Sequence, residues 1–161
     1  MAESVSPASF GAIYERHSRA VYRFALALTG NVQQAEDLTS EAFLRVWQAG
    51  SRVEAMTVRG YLLTIVRNLY RTEWRRERRR GEMPDSIAAV QVDPNAHLEL
   101  ERVLDALSRL PPLDREVLVL RAEGELSYEE IAATTGLTAE AARLRAHRAR
   151  KRLMEVICGK T

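Results

Sequence analysis

The chain has 161 residues, 46% apolar and 29% charged, which supplies enough apolar material for a core and too much charge for a membrane bundle. Its net charge of +2 conceals segregation: residues 1–80 carry +5, residues 81–98 carry −3, residues 99–130 carry −5 and residues 131–161 carry +5. Two positive blocks around an acidic middle suggest two polyanion contacts with something different between them. A single cysteine, Cys158, excludes an intramolecular disulfide, and His17, His97 and His147 stand too far apart for metal-ligand spacing, so neither a metal nor a cofactor is expected. The longest apolar runs, Phe24–Leu28 and Val117–Leu120, are too short to span a bilayer, and the N-terminus lacks a basic segment followed by an apolar core. A cytoplasmic protein with no direct membrane insertion is expected. Only Lys151 and Lys160 are lysines; the arginine excess suits bidentate contact with phosphate or guanine, and a GC-rich genome gives the same bias.

Helical periodicity runs through almost every segment, and no alternating strand pattern appears. Ser6 and Pro7 open a first helix whose apolar face is Phe10, Ile13, Tyr14, Val21, Phe24, Ala25 and Leu28, and Gly30 ends it. Asn31 caps a second helix, with Gln34 at the box position and Val32, Ala35, Leu38, Ala42, Phe43, Val46 and Trp47 as its stripe, up to Gly50. An irregular stretch, 51–57, leads to a third helix with Val58, Tyr61, Leu62, Ile65, Val66 and Leu69 apolar. That helix runs into RTEWRRERRR (71–80) and stops at Gly81 and Pro84. Residues 81–97 mix small, acidic and turn residues without a full stripe and read as a flexible linker; fully extended, 17 residues reach about 56–61 Å. Asp93–Pro94 caps and opens a fourth helix with Leu100, Val103, Leu104 and Leu107, Pro111–Pro112 breaks it, and Asp114 caps a fifth over 115–122.

The stretch Ser127–Leu153 carries the most specific signal. Ser127 and Glu130 form a capping box, Gly136 suits the left-handed position that ends a short helix, Leu137 plugs the turn, and Thr138 caps the next helix. That last helix holds Arg143, Arg145, Arg148, Arg150, Lys151 and Arg152, with only Glu140 opposing them up to Leu153. A helix-turn-helix lays its second helix in the major groove, so this segment is read as a contact with duplex DNA. The fold expected is all-α: two small helical bundles (6–80 and 98–157) joined by the flexible 81–97 linker, the second bundle containing the helix-turn-helix.

Two further constellations stand out. Asp37, Glu41 and Arg45 lie at i, i+4, i+8 along one ridge of DLTSEAFLRVW, a spacing that suits either a salt-bridged surface or a docking ridge. In residues 59–80, Tyr61, Arg67, Asn68, Tyr70, Arg71, Trp74, Arg75 and Arg76 interleave aromatics with arginine; Tyr70 and Trp74 share a face and can stack on unpaired bases beside a phosphate-binding rail, or pack as ordinary half-buried rings. No phosphate-binding loop, nucleophile elbow or cysteine–histidine pairing is present, so neither an enzyme nor a small-molecule substrate is expected.

From about Phe10 to Leu153, the order of a three-helix bundle, AEDLTSEAFLRVW, an arginine–aromatic helix, a linker and SYEEIA…GLT…HRARKRL resembles the extracytoplasmic-function (ECF) sigma factors of the sigma-70 family. The resemblance implies a non-enzymatic factor that directs core RNA polymerase to specific promoters and assists DNA melting. It implies docking on the β′ clamp helices through Asp37, Leu38, Glu41, Phe43, Leu44, Arg45 and Trp47. Promoter melting falls by resemblance to Tyr61, Arg67, Asn68, Tyr70, Arg71, Trp74, Arg75 and Arg76, with the 51–60 loop holding a flipped base. Minus-35 recognition falls to Thr138, Glu140, Arg143, Leu144, Arg145, Arg148 and Lys151, in a bundle that also touches the β flap. An anti-sigma partner is implied as well. Ser40, Ala141, Ala142, Leu144 and Ala146 depart from the family's usual residues, which leaves the promoter sequence open. The acidic 81–130 stretch, including Glu82, Asp85 and Asp93, is expected to fold back over the basic helices in the free protein. A free-standing dimeric helix-turn-helix regulator and an RNA-binding adaptor are the alternatives that the residues alone leave open.

Overall fold

The computed structural model describes residues 7–49, 57–81, 94–123 and 125–159. Among them every regular element is an α-helix: α1 (Pro7–Thr29), α2 (Val32–Ala49), α3 (Val58–Arg80), α4 (Pro94–Ser108), α5 (Pro112–Ala122), α6 (Tyr128–Thr135) and α7 (Ala139–Ile157). The first three close on one another, α1 packing on both α2 and α3, and the last four form a second bundle in which α7 packs on α4, α5 and α6.

Local chemistry sets most helix ends. Gln34 N–H donates to Asn31 Oδ1 at 3.0 Å, the cap expected for α2. Thr57 Oγ1 accepts from Gly60 N–H at 3.1 Å and caps α3, a role the irregular reading of 51–57 did not anticipate. Gly81 ends α3 with φ 71°, a conformation a side chain would strain, and its N–H returns to Arg78 O. Helix α4 begins at Pro94, as the sequence predicts, because proline's fixed φ suits the first helical position, so 94–97 of the expected 81–97 linker are helical. One expectation is corrected. Asp114 does not cap α5: Pro111 holds that position without a side-chain bond, and Asp114 lies in the first turn. The expected cap at Asp93, the remainder of the linker (82–93) and the turn at Gly50 lie outside the described residues.

The core follows the stripes. Val21, Phe24, Leu28, Phe43, Val46, Leu62 and Val66 fill the first bundle, and Leu104, Leu107, Val117, Leu120, Leu126 and Ile131 the second. Each such side chain contributes about 1.5–3 kcal/mol when fully buried. Ala142, Ala146 and Ala149 are buried on α7. They lie on the face of α7 that packs into the second bundle, so two of the departures from the family pattern, Ala142 and Ala146, are core positions.

The bundles also meet each other, α1 touching α4 and α5 and α3 touching α6. Arg115 Nη1 donates to Leu28 O at 3.3 Å, Arg23 pairs with Glu123 at 3.7 Å, and Arg59 pairs with Glu125 at 3.1 Å. The last two pairs are solvent-exposed and individually weak. Arg59 Nε also donates to His17 Nδ1 at 3.5 Å. Partial burial, with Arg59 and Arg16 nearby, holds the His17 imidazole below its ordinary 6.5. The unfolded chain therefore takes up this proton first, and stability falls as pH drops from 6.5 through the lowered folded value, levelling off beneath it. Thermal melts from pH 7.5 to 5 are expected to show that slope, and His17→Gln to flatten it.

Candidate functional site

Three surfaces hold the residues singled out in the sequence. The first is the α2 ridge. Asp37, Leu44, Arg45 and Trp47 are exposed, and Glu41 and Leu38 are half-buried. Arg45 Nε donates to Glu41 Oε1 at 3.2 Å, and Gln33 Nε2 donates to Asp37 Oδ1 at 3.1 Å, so neighbours one helical turn away fix the carboxylates. Leu44 and Trp47, three residues apart on one helix face, leave 48% and 43% of their surfaces open and mark the apolar centre of the ridge. Phe43 does not belong to it. At 2% exposure it points inward, where Phe10 and Tyr14 meet it edge-on at 6.3 and 4.9 Å. Trp47 has both characters, with its indole edge-on to Phe10 at 5.1 Å and its remainder in solvent.

The second surface is α3, where the eight melting candidates divide by burial. Asn68, Arg75 and Arg76 are exposed; Tyr61, Tyr70, Arg71 and Trp74 are half-buried; Arg67 is 5% exposed. Tyr61 packs against the core, as its place in the stripe predicts. Tyr70, Arg71, Trp74 and Arg75 line a cleft of about 390 Å³ between the bundles, opposite Pro111, Pro112, Leu113, Glu116 and Arg145. Burial pushes the Tyr70 phenol up, so it stays protonated in this setting. Arg78 lies over the Trp74 ring, 4.6 Å from its centroid.

Arg67 departs furthest from the picture of a rail of exposed arginines. Its Nε donates to Glu116 Oε2 at 2.9 Å and its Nη1 to Thr134 O at 3.1 Å, both across the bundle boundary. Arg71 Nε donates to the other carboxylate oxygen of Glu116 at 3.2 Å. In this arrangement Arg67 faces the second bundle and not solvent. Of the 51–60 loop expected to hold a flipped base, 51–56 lie outside the described residues, and 58–60 form the first turn of α3 because Thr57 caps the helix there.

The third surface is the outer face of α7. The turn leading to it forms as the sequence predicts: Ser127 Oγ accepts from Glu130 N–H at 3.1 Å, Gly136 takes φ 79°, and Thr138 Oγ1 accepts from Ala141 N–H at 3.0 Å. Thr138, Glu140, Arg143, Leu144, Arg148 and Lys151 are exposed. Arg145 is half-buried because Asp114 Oδ1 accepts from its Nη1 at 2.7 Å. Two features were not read from the sequence. Tyr128 supports Arg143, whose guanidinium carbon lies 5.2 Å from the ring centroid, with Arg121 at 4.7 Å. An apolar groove of about 890 Å³ runs between α1, α4, α5 and α7, floored by Leu104, Leu107 and Ala146 and edged by Arg23, Arg143 and Arg150.

Among the described residues no group of histidine, cysteine, aspartate and glutamate can hold a metal, and no helix is long and apolar enough to cross a membrane.

Comparison with known proteins agrees with this arrangement of surfaces. The family model for sigma-70 region 2 matches residues 13–80, which carry the ridge and α3, and that for sigma-70 region 4 matches residues 100–153, which carry the helix-turn-helix. The ECF RNA polymerase sigma factor EcfG of Rhodopseudomonas palustris is 37% identical over 144 residues, 83% of this chain and 77% of the relative. The RNA polymerase sigma factor CarQ of Myxococcus xanthus is 35% identical over 158 residues, 92% of this chain and 89% of its own. Among solved structures, the sigma factor RpoE of Bartonella quintana in complex with the anti-sigma factor NepR has a TM-score of 0.78 at 27% identity, covering 92% of this chain and 96% of that one. CnrH in complex with the cytosolic domain of CnrY follows at 0.72 and 26%, covering 97% and 92%. Two family regions in the expected order, and relatives matched over most of their length, make the chain a member of the ECF sigma factors of RNA polymerase.

Proposed function

We propose that the two bundles divide the work of promoter recognition. The α1–α3 bundle (6–80) docks on the β′ clamp helices of core polymerase and holds the melted strand; the α4–α7 bundle (98–157) reads the minus-35 element and meets the β flap. The observation that carries this reading is the simultaneous exposure of two unlike surfaces at opposite ends of one chain. The α2 ridge of Asp37, Glu41, Leu44, Arg45 and Trp47 has an open apolar centre with a charged rim. The α7 face of Arg143, Arg148 and Lys151 is basic. An apolar patch rimmed by charge suits a protein partner, and a basic helix following a helix-turn-helix turn suits duplex DNA.

Tethering through polymerase makes the second DNA contact effectively intramolecular, which adds orders of magnitude of avidity. Melting proceeds by capture, since extruding a base costs a few kcal/mol while stacking returns about 1–3 kcal/mol per base. Several contacts must act together, and Trp74, Asn68, Arg75 and Arg76 on α3 supply them. The protein works in the cytoplasm without catalytic chemistry of its own. It is held in check by an anti-sigma partner, a reading supported by the sigma factor RpoE of similar structure, solved in complex with the anti-sigma factor NepR. The groove edged by Arg23, Arg143 and Arg150 suits an amphipathic segment with acidic flanks from that partner or from the flap.

Run-off transcription with purified core polymerase over a promoter library tests the reading. Initiation from a defined subset is expected, and a chain that neither binds core polymerase nor selects promoters overturns it.

A further inference from the structure

The bundle boundary is built around one carboxylate. Glu116 on α5 is 1% exposed, and both its oxygens are taken by α3, Oε2 by Arg67 at 2.9 Å and Oε1 by Arg71 at 3.2 Å. Arg67 is itself buried, with Nη1 on Thr134 O at 3.1 Å, and the hydroxyls of Thr64 and Thr134 meet 3.2 Å apart beside it. A buried carboxylate is tolerable only with such partners, and removing either side of the cluster leaves an uncompensated charge in the interface. Two arginines converging on an oxyanion is also the arrangement that binds a phosphodiester.

We propose that Glu116 is an intramolecular stand-in for a phosphate of the melted promoter strand, so that Arg67 and Arg71 hold either Glu116, with the bundles closed, or the strand, with the bundles apart. The inference rests on the reading of α3 as the strand-facing helix. The exclusivity follows from geometry, because Arg67 at 5% exposure cannot meet a strand phosphate until the second bundle moves away. The cluster is also poised to exchange. Two guanidiniums share one carboxylate, Arg75 and Arg145 line the adjoining cleft, and Arg145 is already held by Asp114 at 2.7 Å. The surplus of positive charge favours an incoming polyanion. The fold-back expected of the acidic middle of the chain is carried, in these terms, by Glu116 on α5.

The full-length chain supports two tests. In the first, Thr64→Cys and Thr134→Cys, replacing two hydroxyls that meet 3.2 Å apart, are combined with Cys158→Ser, and disulfide formation is verified by mass spectrometry before assay. The oxidised protein is expected to support no run-off transcription above background, and to bind a single-stranded promoter oligonucleotide at least about tenfold more weakly than the reduced protein. Reductant should restore both. Full oligonucleotide binding by the oxidised protein overturns the proposal. In the second, Glu116→Gln removes the charge and keeps the shape. Energy transfer between dyes on α2 and α7, without polymerase or DNA, is expected to report wider separation, with oligonucleotide affinity rising about tenfold. An unchanged distance and affinity in this variant overturn the proposal. A wider distance with unchanged affinity upholds Glu116 as a latch and counts against the strand-facing role of α3, so the two readings fail separately.

Discussion

Replacing Leu44 and Trp47 together with alanine is expected to weaken binding to core RNA polymerase by about a hundredfold or more, with little change in the fold. The two side chains form the open apolar centre of the α2 ridge, at 48% and 43% exposure, ringed by Asp37, Glu41 and Arg45. Interfaces concentrate their energy in such anchors, where truncating a buried tryptophan costs about 2 kcal/mol or more and the charged rim contributes mainly register and association rate. Glu41→Ala and Arg45→Ala should accordingly slow association and reduce its salt dependence more than they raise dissociation. Phe43 is the control. It lies one position from Leu44 in sequence yet is 2% exposed, so Phe43→Leu should lower the melting temperature and leave affinity per folded molecule intact. Competition binding against a labelled sigma factor, with melts on the same samples, separates the two effects. Equal affinity of the double variant and the parent would remove the ridge from the docking surface. Because Trp47 also meets Phe10 edge-on at 5.1 Å, a fall of a few degrees in its melt is expected and does not bear on docking.

Arg143→Ala on α7 is expected to cost about 1–3 kcal/mol of promoter affinity and to relax sequence preference at one position of the minus-35 element. Arg143 stands in the second turn of the helix, exposed, with its guanidinium beside the Tyr128 ring. A long side chain supported in this way loses less conformational entropy on binding, so Tyr128→Leu should reproduce part of the loss without removing any DNA contact. Lys151 lies further along the exposed face. Lys151→Ala should weaken all sequences about equally and reduce the salt slope by about one. Selection of binding sites from a randomised duplex pool, repeated at several salt concentrations, reads both outcomes. Unaltered preference in Arg143→Ala would place base reading elsewhere on α7. Arg145 differs from its neighbours: with Asp114 holding it at 2.7 Å, its replacement should first loosen the contact between α7 and α5.

Much of this molecule is legible locally. Ser127, Gly136 and Thr138 specify the helix-turn-helix through bonds reaching no more than four residues along the chain, and all three form as read. Asn31 caps α2 for the same reason. The readings that needed revision depend on distant partners. Asp114 looked like a helix cap, but its oxygen bonds Arg145, 31 residues away. Phe43 belongs to the apolar stripe of α2 by periodicity and to the docking ridge only by resemblance, and its burial against the rings of Phe10 and Tyr14 follows the stripe. Glu116 gave no signal in DREVLVLRA beyond that of an ordinary surface acid, and Arg67 none beyond that of one more arginine on a basic helix; they are 49 residues apart and among the most buried ionised groups described.

Taken by itself, the order of residues determined seven helices' worth of periodicity, the caps at Asn31, Ser127 and Thr138 and the charge carried by each end of the chain, because propensity, capping and amphipathic spacing act over one or two turns. Only the tertiary structure decided which arginines remain open to solvent and which are spent on Glu116. Periodicity says which face of a helix turns inward, but the partner waiting there is supplied by another part of the chain, and for a charged group that partner sets the cost of burial.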